Sequence, residues 1–200
     1  MKPCAGYLAP VVALLLPGTA ALAQEGDDSA AGYPFHARLS GAQEVTPPEA
    51  PTTPSPGVSA PSAGRFSMSA ARDLSSIEFQ LDVSNAAGVT AAHLHCAPPG
   101  VNGPIVVSLM NPSEQGADVD GVLGDGTRAN EDIEASAEGC EELIDRPVRN
   151  IASLVAAAAE GLIYANVHTV ANPAGEIRGQ LVLGQDEGQG GQPAPSEHVQ

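Results

Sequence analysis

Hydrophobic and polar residues alternate most strictly between Ile77 and Ser84, where Ile77, Phe79, Leu81 and Val83 interleave with Glu78, Gln80, Asp82 and Ser84. A period of two puts the apolar set on one face of an extended chain, which predicts a half-buried strand. Shorter stretches repeat the pattern: Phe35, Ala37 and Leu39 against His36, Arg38 and Ser40, and Phe66 with Met68 inside Gly64 to Ala70. The polar turn Asp73-Leu74-Ser75-Ser76 between two of these stretches predicts an antiparallel hairpin. A small-residue turn, Asn85 to Gly88, then predicts a break before a new strand from Thr90 to Cys96, followed by another from Ile105 to Met110. A final pair, Leu162 to Thr169 and Glu176 to Leu183, flanks the turn Asn172-Pro173-Ala174-Gly175. Helical period occurs once, with Ile151, Leu154, Val155 and Ala158 at i, i+3, i+4 and i+7, Asn150 placed to cap and Gly161 to stop. These elements predict a mainly β domain, an antiparallel sandwich or closed barrel with one short helix. With three Phe, three Tyr and no Trp, its core must come from Val, Ile, Leu and Ala.

The remaining segments carry no such period. Residues 24–34 are small, polar and acidic, and residues 184–200 are rich in Gly, Gln and Pro; both predict disorder around a domain spanning 35–183. Gly41 to Ala63 holds six prolines, each lacking a backbone donor, and predicts a surface excursion. Residues 111–145 contain eleven acids and one base, Arg128. Asp118, Asp120 and Asp125 suggest a calcium loop, but their spacing fails the EF-hand pattern, so a solvated acidic loop is expected.

The first twenty-three residues change the picture of compartment. Lys2, the apolar run Leu8 to Leu16 and Ala21-Leu22-Ala23 before Gln24 predict a cleaved secretory signal. Export to the periplasm or the medium is expected, with no transmembrane segment after cleavage. Cleavage removes Lys2, leaving seven arginines against twenty-four acids, a formal charge of −17. That surface repels phosphate backbones and excludes nucleic acid as a natural partner. Two cysteines remain, Cys96 and Cys140, which in an exported chain predict one disulfide.

Candidate chemistry rests on histidine. On a strand, His93 and His95 leave the same face with Cα atoms about 6.7 Å apart, while Cys96 turns to the other. His168 shares a strand face with Tyr164 and Asn166 and could supply a third nitrogen for copper or zinc. The alternative is that all three are structural polar residues at a sheet end beside Asn102, Asn166 and Thr169. Glu176 and Arg178 share a face, and Arg178 is expected to pair across strands with Glu78 or Asp82. Gly100-Val101-Asn102-Gly103 lacks a following helix or lysine and is a turn, not a phosphate cradle. His36 and His198 have no expected role.

Several motifs, in order, carry a resemblance. Leu39-Ser40-Gly41-Ala42-Gln43-Glu44-Val45, His93-Leu94-His95 with Gly100 to Val107, and Tyr164 to Thr169 with Gly175 to Gln180 together resemble the CHRD domain, from about Phe35 to Leu183. The departure is the expanded proline segment after Glu44. The resemblance implies an immunoglobulin-like or barrel-like β fold, no settled catalytic activity, and an exported setting. The chain also bears a weaker similarity to copper/zinc superoxide dismutase in its His-x-His strand and in Ala174 to Arg178, without the rest of that zinc site. Two functions are therefore expected side by side. One is a non-enzymatic binding or envelope-associated module with a protein or metal-ion ligand. The other is a copper- or zinc-binding protein with redox activity at His93, His95 and His168.

Overall fold

The computed structural model describes residues 32–46 and 57–184. The expected signal, residues 24–31 of the leader, residues 47–56 of the proline segment and residues 185–200 of the tail lie outside the described residues. Eight strands form one antiparallel sheet: β1 (Tyr33–Ser40), β2 (Ala63–Ala70), β3 (Ser76–Cys96), β4 (Ile105–Ser108), β5 (Ala117–Ala129), β6 (Ile163–Thr169), β7 (Ile177–Gln180) and β8 (Val182–Leu183). The path β2-β1-β7-β6-β3 closes because β3 also pairs with β2, giving a barrel. Two short helices accompany it, α1 (Cys140–Ile144) and α2 (Ile151–Ala159), where the sequence pattern predicts only α2.

Strand β3 makes the closure possible. Its first half, Ile77 to Ser84, pairs with β2 on one side and β5 on the other; its second half, Val89 to Cys96, pairs with β6 and β4. The expected turn at Asn85 to Gly88 is instead a bend inside this single strand. Asn85 and Gly88 both take positive φ, 52° and 65°, and the register shifts around them. The small, turn-forming residues thus serve a bulge, which bends a strand around a barrel corner without ending it.

The acidic segment also differs from expectation. Ala117–Ala129 is a strand along β3, mostly exposed at the sheet edge, where charge discourages pairing with other chains. Two of its aspartates satisfy backbone donors at the bend: Asp118 accepts from the Gly88 amide (2.8 Å) and Asp120 from the Asn85 amide (3.4 Å). An alternating apolar set would have revealed the strand; an edge strand with little buried side has no need of one.

The interior is aliphatic. Leu39, Ile77, Leu81, Leu94, Ile163 and Ile177 are fully buried with Phe35 and Phe66, each contributing roughly 1.5–3 kcal/mol by burial. Helix α2 adds Ile151 and Leu154 to this core, its start fixed by a capping box in which Asn150 Oδ1 accepts from the Ser153 amide. A disulfide between buried Cys96 and Cys140 joins the end of β3 to the start of α1, with Cα atoms 5.8 Å apart.

Candidate metal centre

Leu94 and Cys96 point into the core, so His93 and His95 leave the opposite face of β3. Strand β6 lies beside this half, and its register sets His93 opposite Asn166, His95 opposite Tyr164 and Ala91 opposite His168. His168 therefore meets the pair diagonally, within reach of long side chains. Strand β7 continues the same face with Arg178 beside Asn166 and Gln180 beside Tyr164.

The three imidazoles converge. Ring centroids are 5.0 Å apart for His93 and His168, 5.6 Å for His93 and His95, and 5.8 Å for His95 and His168. One nitrogen from each ring lies within 4.8 Å of the others. His95 Nδ1 bonds to the Gly103 carbonyl at 2.9 Å and His168 Nδ1 to the Pro173 carbonyl at 3.0 Å. A carbonyl can only accept, so both Nδ1 atoms carry the proton and both Nε2 atoms keep a lone pair. Those Nε2 atoms, together with Nδ1 of His93, are buried and have no hydrogen-bond partner among the described residues. His95 is only 7% exposed.

The environment keeps the rings neutral. Burial pushes the His93 pKa down to about 4, with His168 acting in the same direction and Glu134 opposing. Burial likewise pushes His95 down to about 3, against the bond to Gly103 and helped by His168, His93 and Arg178. His168 is lowered by burial too. Neutral imidazoles ligate metal, and two of these three have the second nitrogen tied to a carbonyl, which orients the ring. Three donors each about 2.0–2.1 Å from one ion stand roughly 3.3–3.6 Å apart in tetrahedral or trigonal geometry, so the most widely spaced nitrogens would need to draw together by about 1–1.5 Å.

Around the histidines runs a polar wall that local sequence reading misses. Arg178, 2% exposed, lies 3.5 Å over the Tyr164 ring and donates to the carbonyls of Val101 (2.9 Å) and Pro98 (3.3 Å). It does not pair with Glu78 or Asp82: those residues lie on the first half of β3, opposite Ser69 and Arg65 of β2, far along the barrel from β7. Glu176 instead accepts from Ser62, Thr169 and Asn172. Burial raises its pKa, but those three hydrogen bonds outweigh it and leave the carboxyl below its usual range. Glu44 accepts from Asn166, which stands opposite His93, and burial pushes its pKa up to about 7 despite Asn166 and Arg178. Gly175, at φ +139°, lies so close to Glu44 and Asn166 that a Cβ would come within 2.7 Å and 2.8 Å of them. The signal for this wall in the sequence is the shared face of Tyr164, Asn166 and His168, continued by Arg178 and Gln180.

Comparison with curated proteins and with solved structures returned no match. The family model of the CHRD domain matches residues 35–181, from the first core phenylalanine of β1 to the residue after β7, and on that match the chain belongs to the CHRD family.

Proposed function

We propose that this CHRD domain is an exported, non-enzymatic metal-binding module that holds copper or zinc between His93, His95 and His168. The observation that carries the reading is the cluster of three imidazoles, one nitrogen of each within 4.8 Å of the others, with a buried nitrogen on every ring that has no partner among the described residues. A buried polar atom left without a partner costs about 1–3 kcal/mol, so a ligand that engages all three rings relieves that cost. The surrounding groups are otherwise bonded: two Nδ1 atoms to carbonyls, Asn166 to Glu44, and Glu176 to its three donors. Imidazole donors suit copper and zinc, and water would complete the coordination. Export is supported by the amino-terminal signal pattern and by the disulfide, which persists in oxidising compartments.

Titration calorimetry of the mature, oxidised protein with Zn(II) and Cu(II) tests this. One ion per chain is expected, with each of His93→Ala, His95→Ala and His168→Ala weakening binding severely and His36→Ala leaving it unchanged. Absence of binding in the unsubstituted protein would leave the histidines as structural residues.

A further inference from the structure

One metal-facing histidine is backed by an aromatic ring and a fixed cation. The Tyr164 ring stacks on His95 with centroids 4.9 Å apart and planes 8° from parallel, and the Arg178 guanidinium lies 3.5 Å from the Tyr164 centroid. Those distances leave no room for both groups on one face of the ring, so Tyr164 is sandwiched between imidazole and guanidinium. Arginine is not deprotonated in proteins, so a permanent positive charge stands one ring behind a ligand.

Resting on the metal reading above, the geometry points to a copper site that favours Cu(I) over Cu(II), with Arg178 as the positioning residue that sets this preference through Tyr164. The donors in the group are three imidazoles, without a thiolate or carboxylate to offset an ion's charge. In such a site a nearby fixed cation penalises a doubly charged ion more than a singly charged one, and the partly buried setting weakens solvent screening. Three nitrogen donors also complete a trigonal shell for Cu(I). Arg178 has a mechanical role as well, because by donating to Pro98 and Val101 it holds the loop whose Gly103 fixes His95. Losing the clamp lowers affinity for every ion, whereas losing the charge changes the ratio between ions.

The test uses mature, oxidised protein. Cu(I) affinity is measured anaerobically by competition with bicinchoninate, and Cu(II) and Zn(II) affinities by competition with nitrilotriacetate. The unsubstituted protein is expected to bind Cu(I) more tightly than Cu(II). Arg178→Met is expected to lower the Cu(I):Cu(II) affinity ratio at least about tenfold, equivalent to ~59 mV for a one-electron couple. Arg178→Lys keeps the charge but loses the planar fork; all affinities should fall while the ratio stays within about threefold of the parent. A parent that prefers Cu(II), or an Arg178→Met protein with the parental ratio, overturns the inference while leaving the metal site standing. A parent that binds no ion overturns the metal reading itself. Should Arg178→Met not fold, the parental preference and the Arg178→Lys ratio decide.

Discussion

The main chain of Gly103 joins His95 to Tyr164: its carbonyl accepts from His95 Nδ1 at 2.9 Å while its amide donates to the Tyr164 hydroxyl at 3.1 Å. One residue thus sets both the tautomer of a candidate ligand and the ring stacked on it. A Cβ at this position would collide with the Cys96 carbonyl oxygen, so the loop must move to accept one. Gly103→Ala is expected to lower metal affinity about 10–100-fold, as loss of an outer-shell partner does. Calorimetry beside thermal unfolding checks this; unchanged affinity would show that Gly103 does not orient His95.

Acid acts on the site late. Because the His93 and His95 pKa values lie at about 4 and 3, protons compete with an ion at those two rings only near those values, and burial lowers His168 below the ordinary 6.5 as well. Zn(II) affinity should therefore persist to below the ordinary imidazole value of about 6.5 and fall steeply below about pH 4. Without metal, the same two groups make stability pH-dependent. Their contribution is present in full above the unfolded value near 6.5 and lost as pH falls to about 4 and 3, since the unfolded chain takes up protons first.

Glu44 works in the opposite direction. Its folded pKa of about 7 lies above the unfolded 4.5, so its contribution is complete below pH 4.5 and lost as pH rises through 7. Glu44→Gln keeps an acceptor for Asn166 without the charge. It should stabilise the protein by roughly 1–3 kcal/mol at about pH 8 and change little at about pH 4. Denaturant midpoints at the two pH values provide the measurement; equal shifts at both would rule out ionisation of Glu44 as the cause.

Removing the Cys96–Cys140 bridge should cost stability without removing the fold's pattern. The bridge spans a sequence separation of 44 residues, and on the chain-entropy model its loss costs about 4 kcal/mol. Cys96→Ala with Cys140→Ala is therefore expected to unfold at markedly lower denaturant. Thiol titration of the unreduced, denatured parent should detect no free thiol in mature protein.

The amino-terminal pattern ending at Ala21-Leu22-Ala23 predicts Gln24 as the first mature residue. Intact mass of the exported protein reads this directly, and a species retaining residues 1–23 would contradict it.

The barrel is legible because its inner strands alternate: Phe35 to Leu39 and Ile77 to Val83 each bury one face, and period two reports that directly. Two features are not. Asn85 and Gly88 carry the local marks of a turn, and only the pairing of β3 with β5 and β6 shows that the chain bends there and continues. Strand β5 buries too little to print a pattern. For the candidate site, local spacing puts His93 and His95 on one face. Bringing His168 to them requires β6 to neighbour β3, which depends on barrel closure. Arg178 reads as half of an ion pair because charge is visible in a sequence and stacking on Tyr164 is not.

The bend in β3 also bears on when the histidine cluster can exist. The strand is held at one end by β2 and β5 and at the other by β4 and β6, elements that lie before and after it in the chain. Pairings of such long sequence separation form slowly, because the loops between them must close before any contact rewards the closure. His93 and His95 therefore meet His168 only once the long-range pairing of β3 with β6 has formed. A chain that crosses a membrane unfolded arrives without the cluster, so any ion it comes to hold is drawn from the compartment in which it folds.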